Sequence, residues 1–134
     1  MNFKSLIIPL LFKAPIMTKA ENIFFEDFKT THNVVPFDRI EKSFYEEAVD
    51  SGIKQADREI EAIVNQRSRP TFENTIEALE NAGEMLNRTL LTFYPILSAD
   101  GDEEMNQISL RIAPKLAEHS ANISLNEKLW QRVK

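Results

Sequence analysis

The residues that could do chemistry are few. The chain has two histidines, His32 and His119, and no cysteine. A hydrolytic zinc centre needs two imidazoles one helical turn apart with a carboxylate base beside them, the pattern His-Glu-x-x-His, so that both nitrogens reach one ion. His32 and His119 are far apart in sequence and neither has further ligands nearby. A shared metal is not expected. His119 reads instead as a half-exposed residue near a helix C-terminus, where the dipole tolerates its charge, and His32 as a surface residue. Without cysteine there is no thiolate nucleophile, and neither a Gly-x-Ser-x-Gly elbow nor a glycine-rich phosphate loop occurs. Glu46-Glu47 and Glu103-Glu104 are neighbours in sequence, so on a helix they point about 100° apart and cannot converge on one substrate atom. They read as solvated faces and caps. The expected catalytic, cofactor-binding and metal-ligating sets are each none.

The elements that carry these residues read as helices. Three glycines in 134 residues, with few clustered β-branched residues, argue for long helices over strands joined by tight turns. A hydrophobic share of 43% is too high for a disordered tail, so the chain should fold around a core. The net charge of -5, with acids and bases interleaved, offers no basic stripe for phosphates, and nucleic acid is excluded as a partner. Residues 1–20 hold the apolar run Ser5 to Phe12, interrupted by Pro9, and a small-x-small pattern at Thr18-Lys19-Ala20. They read as a leader or disordered start, with a weak export signal as one alternative and a cytoplasmic protein as the favoured one. The run falls short of the ~20 apolar residues a membrane span needs.

Residues 21–134 read as one partial helical domain. An extended arm from Ala20 to Pro36 carries Phe24, Phe25 and Phe28, expected to staple it to a helix. Asp38 and Glu41 form a capping box. Behind it Ile40, Phe44, Ala48, Val49, Ile53, Ala56, Ile60 and Ile63 recur at three- and four-residue steps along one side of a helix, with Glu46, Glu47, Asp57, Arg58 and Glu61 toward water. Gly52 is expected to permit a close contact or a bend. Arg67-Ser68-Arg69-Pro70 ends this helix. Thr71 or Asn74 caps the next, whose Phe72, Ile76, Leu79, Gly83, Leu86, Leu90, Phe93 and Leu97 form a heptad seam, with Pro95 kinking the last turns. Asp100 and Glu103 cap a third helix, with Met105, Ile108, Ile112 and Leu116 inward and a kink at Pro114. Ser124 and Glu127 begin a fourth, with Leu129, Trp130 and Val133 on its apolar face. It stops at Lys134 without a C-cap signal, predicting a natural polypeptide that continues. The expected fold is all-α: antiparallel helical hairpins, three long helices and the start of a fourth, with an extended N-terminal arm.

Within this frame Arg69-Pro70-Thr71-Phe72-Glu73-Asn74-Thr75-Ile76, followed by Ala78-Leu79-Glu80 and Leu86-Asn87-Arg88, resembles the Pro-Thr-Phe-Glu-Asn-Thr signature of the thimet oligopeptidase, oligopeptidase A and peptidyl-dipeptidase family of zinc metallopeptidases. Supporting pieces lie in the family's order: Pro36-Phe37-Asp38 with Ile40, Glu59-Ile60 with Ala62-Ile63, Ala113 to Ala117 with His119, and Leu125-Asn126 with Leu129.

The resemblance implies a helical N-terminal segment of such an enzyme, one that helps wall a channel admitting short peptides. It implies zinc for the full-length enzyme, held by a His-Glu-x-x-His helix in the remainder of the chain. This chain alone is expected to be inactive, to hold no cofactor, and to have the remainder of the peptidase as its partner. Self-association through an uncovered apolar face is a further expectation. The alternative is a free-standing helical interaction module that uses the Phe72 to Leu97 seam.

Overall fold

The structure, a computed structural model, describes residues 21–134; the leader and export readings fall outside them. The described residues are helical, without strands. Helix α1 spans Lys42–Val64, α2 Ala78–Asn81, α3 Glu84–Asp100, α4 Glu103–Ser124 and α5 Glu127–Val133. A π-helical turn, Phe72–Glu77, leads into α2.

Helix α1 is the axis of the fold, and both α3 and α4 pack on it. Its predicted apolar side is the one buried: Phe44, Ala48, Val49, Ala56, Ile60 and Ile63 all lie in the interior. Gly52 makes a close contact possible. A Cβ at that position would sit 2.9 Å from Leu86 Cα, so only glycine lets α3 approach so nearly. Further along, Tyr45 meets Phe93 edge-on with ring centres 5.0 Å apart. These pairs run in opposite directions along α1 and α3, which are therefore antiparallel. Contacts between α1 and α4 run in the same direction, Glu46 with Arg111 and Asp57 with His119, giving an up-down-up arrangement.

The arm closes one end of this core through three short 3-10 turns, Ile23–Phe25, Thr31–Asn33 and Phe37–Arg39, so it is less extended than expected. Phe24 and Phe28 are buried, and Phe24 packs on Tyr45 with ring centres 5.4 Å apart. Burying each phenylalanine contributes about 2–3 kcal/mol. Phe25, by contrast, is exposed. Asn22 fixes the arm to α1 by donating to the Phe44 carbonyl at 2.9 Å. Arg88 fixes it to α3: one Nη donates to the Phe24 carbonyl at 3.1 Å, and the guanidinium lies 5.4 Å from the Phe28 ring centre. A second core, Ile60, Ile63 and Leu129, seats α5 against the far end of α1.

Three helix starts differ from the sequence expectation. Asp38 lies in a 3-10 turn, and α1 begins at Lys42 with no side-chain cap; Lys42 is instead paired with Asp102 and Glu104 at the start of α4. Asp102, not Asp100, caps α4, accepting from the Met105 amide at 3.0 Å. Asn126, not Ser124, caps α5, accepting from the Leu129 amide at 3.0 Å, while Ser124 is still helical. For α4 and α5 a short acceptor nearer the helix won over one that matched only in spacing, whereas α1 starts without a side-chain cap. Neither Pro95 nor Pro114 divides its helix.

The second helix is not continuous. Ala82 is extended and Gly83 is left-handed, with φ 78°, so the Phe72 to Leu97 seam is cut between α2 and α3. Phe72, its first member, is 65% exposed. Two forces hold the break. Glu59 Oε2 accepts from the Gly83 amide at 2.7 Å, and the bare Gly83 Cα faces Ala56, whose methyl would lie 3.2 Å from an added Cβ. A positive φ is cheap only for glycine.

Candidate functional site

The signature residues build a clamp at the start of the second helical segment. Thr71 and Asn74 cap each other: the Asn74 amide donates to Thr71 Oγ1 at 3.2 Å and the Thr71 amide donates to Asn74 Oδ1 at 2.9 Å. This is the Thr71/Asn74 start expected from the sequence, with Asn in the reciprocal place that Glu or Gln more often holds. Asn74 Nδ2 also donates to the Arg69 carbonyl at 3.0 Å, which secures the loop before Pro70. Asn74 Oδ1 takes two further donors, Thr75 Oγ1 at 2.8 Å and Arg132 Nη2 at 3.2 Å. The other Arg132 Nη donates to the Gln66 carbonyl at 3.0 Å, so one guanidinium from α5 bridges the end of α1 and the start of the π-helical turn. Thr75 is buried beneath this cluster. Glu73 at the first turn has its carboxyl held below the ordinary range by its own backbone amide and then by the Thr71 hydroxyl. The side chains of Thr71, Asn74 and Thr75 are thus spent on shaping the chain and joining its helices. The large apolar side chain of the motif left facing solvent is Phe72.

A second polar group lies along α1 and α4. Arg111 Nε donates to Glu46 Oε2 at 2.9 Å, Lys115 Nζ to Asp50 Oδ1 at 2.7 Å, and His119 Nδ1 lies 2.8 Å from Asp57 Oδ1. Acids spaced along α1 thus face bases one turn apart on α4. The Lys115 ammonium is held above its ordinary pKa by the hydrogen bond to Asp50, with Glu46 adding charge. These exposed and half-exposed pairs set the register of α4 more than they stabilise it. Glu46 and Glu104, read from sequence as solvated, are in fact partners in ion pairs, Asp57 is hydrogen-bonded to His119, and Glu47 accepts from Asn22. His119 is buried where a half-exposed side chain was expected, because α4 turns it toward α1.

The cleft beside this ladder, about 400 Å³, is lined by Asp50, Ile53, Lys54, Asp57, Lys115, Glu118, His119 and Asn122. Its histidine is oriented by a carboxylate, as in a hydrolytic relay, but no lining residue carries a hydroxyl or thiol to activate. His119 and Asp57 form a structural hydrogen bond. His32 is exposed on the arm with φ 59°. Among the described residues no group of three or more His, Cys, Asp or Glu could hold a metal ion, so zinc does not fit here and no step of a reaction is assigned to these side chains. No described helix is long and apolar enough to cross a membrane. Arg132 was not singled out from sequence, and Glu59 entered only as part of the resemblance, with no structural role read for it. Each acts on a backbone group far away in the chain, and spacing carries no trace of that.

Comparison with known proteins reaches the same family as the signature. No protein-family model matches the chain. The chain is 39% identical over 97 residues to a dipeptidyl carboxypeptidase of Salmonella typhimurium and 37% identical over 97 residues to that of Escherichia coli. The chain is related to the dipeptidyl carboxypeptidases. Each match covers 72% of this chain but 14% of the relative, so the shared stretch is a small part of a dipeptidyl carboxypeptidase. Within that kinship Phe72 stands out as an aromatic side chain that the described helices leave uncovered.

Proposed function

We propose that the chain is a non-catalytic helical portion of a zinc-dependent peptidyl-dipeptidase. It helps wall the channel through which short peptides reach the active site, and the remainder of the peptidase carries the His-Glu-x-x-His zinc centre and hydrolyses the peptide. The observation that carries this reading is the identity of 37 to 39% to dipeptidyl carboxypeptidases, spread over 72% of this chain and confined to 14% of theirs. The polar residues of the signature support it, because they shape backbone and leave nothing poised to react. The competing reading, a free-standing interaction module, relied on an unbroken seam from Phe72 to Leu97, and the break at Gly83 removes that seam.

The test uses the purified chain together with a dipeptidyl carboxypeptidase relative from which the matching stretch has been deleted. The chain alone, supplied with zinc, should not cleave a fluorogenic peptide. Mixed with the deleted relative, it should bind it and restore cleavage that a chelator abolishes. Chelator-sensitive cleavage by the chain alone, or no binding to the deleted relative, would overturn the reading.

A further inference from the structure

Helix α4 has two apolar sides. The inner side carries Met105, Ile108 and Ile112, buried in the main core. Of the charged residues in its central turns, Arg111 and Lys115 pair with the acids of α1, and Glu118 lines the cleft between the two helices. The outward side repeats Leu110, Ala113, Ala117 and Ala121 at three- and four-residue steps and runs on to Leu125 and Trp130. All six are exposed, Leu110 at 68% and Leu125 at 81%. The Trp130 indole N–H donates to the Ser124 carbonyl at 2.8 Å, which lays the ring against the end of α4 and lengthens the strip.

A surface helix ordinarily sets an apolar stripe against a polar face turned to water. One that is apolar on opposite sides, with its charges confined to the flank, suits a place between two layers. Helix α1 supplies the inner layer. Nothing among the described residues supplies the outer one. The alanine floor between Leu110 and Trp130 would let a second helix approach closely, since interaxial distance is set by the side chains at the contact.

We infer that the outward face of α4, from Leu110 to Trp130, is the docking surface for the remainder of the dipeptidyl carboxypeptidase chain. This rests on the proposed function and names the surface through which that function is exercised. The relatives favour this occupant, because the shared stretch is 14% of their length and the rest of each must pack against it somewhere. A second copy is disfavoured by the chain's net charge of -5, which repels its like.

The binding assay with the deleted relative decides it. Ala117→Glu puts a charge at the centre of the strip, at an exposed position where the chain's own fold is indifferent to it; circular dichroism and thermal melting verify the fold. Phe37→Glu, an exposed apolar site on the arm, serves as the control. The expected result is at least a tenfold weaker Kd for Ala117→Glu and less than a twofold change for Phe37→Glu. Unchanged binding by Ala117→Glu, while the unaltered chain still binds and restores cleavage, overturns the docking surface and leaves the proposed function standing. No binding by the unaltered chain overturns both. A dimer of the chain that Ala117→Glu dissolves, without weakening capture of the relative, assigns the face to a second copy and also overturns the inference.

Discussion

Arg132 Nη2 donates to Asn74 Oδ1 at 3.2 Å, joining residues 58 positions apart. The same oxygen accepts from the Thr71 amide and the Thr75 hydroxyl, so it is the point where α5, the helix cap and the buried Thr75 are tied together. The signature that marks kinship to the peptidases is in this chain a joint between helices.

Loss of that joint should be cooperative. Asn74→Ala removes a reciprocal cap and one acceptor of the Arg132 guanidinium, at an expected cost of about 2–3 kcal/mol. Arg132→Lys should lose most of what Arg132→Ala loses, because one ammonium cannot serve the Gln66 carbonyl and Asn74 together. Urea denaturation of the two single variants and the double variant should show a coupling energy of at least about 0.5 kcal/mol. Strict additivity would mean the two residues act separately.

The buried face of α1 was legible because it rests on a period: Phe44 through Ile63 needed only 3.6 residues per turn to be placed. The Thr71/Asn74 cap was legible because both partners lie within one turn. What escaped depended on distant partners. The start of α1 is drawn to Lys42 by acids at the start of α4, the break at Gly83 is held by Glu59, and the burial of His119 follows from Asp57. Several Ser/Asp-x-x-Glu spacings matched a capping box, but spacing alone could not tell which acceptor the tertiary structure would bring to the helix.

The Gly83 break gives a sharp expectation. Gly83→Ala must hold a left-handed backbone and press its methyl toward Ala56, an expected loss of about 1–2 kcal/mol. Glu59→Gln keeps an acceptor for the Gly83 amide and should stay near the parent stability. Glu59→Leu leaves that amide without a partner and should cost about 1–3 kcal/mol. Thermal melts of the three variants check the order; a Glu59→Leu protein as stable as the parent would show that the amide finds another acceptor.

Acid sensitivity should have a contribution from Asp102. Its carboxyl is held below the ordinary value of 3.8 by the hydrogen bond from Lys42 first and the Met105 amide next. A carboxyl depressed in the folded state adds stability that is present above its unfolded value and lost as pH falls through the folded value. Asp102→Asn keeps a good cap while removing the charge, since Asn and Asp cap about equally well. Stability measured by urea titration at successive pH values should therefore fall less steeply below about pH 4 in Asp102→Asn than in the parent. Parallel acid limbs would exclude Asp102 as a contributor.

Tyr45 tests the opposite end of the pH range. Its ring is packed between Phe24 and Phe93, and its hydroxyl is buried with no hydrogen-bond partner among the described residues. Burial disfavours the phenolate and pushes the pKa from 10.0 up to about 12. A group whose folded pKa is raised contributes stability that is complete below the unfolded value and is lost as pH rises through the folded one. Between pH 10.0 and about 12 the parent should therefore lose stability that Tyr45→Phe keeps. At neutral pH, Tyr45→Phe retains the ring contacts and removes an unpaired buried hydroxyl, so it should match or exceed the parent by up to about 1 kcal/mol. A Tyr45→Phe protein less stable by 1 kcal/mol or more would show that the hydroxyl has a bonded partner, and the buried phenol would then have to be reassigned as part of a polar network.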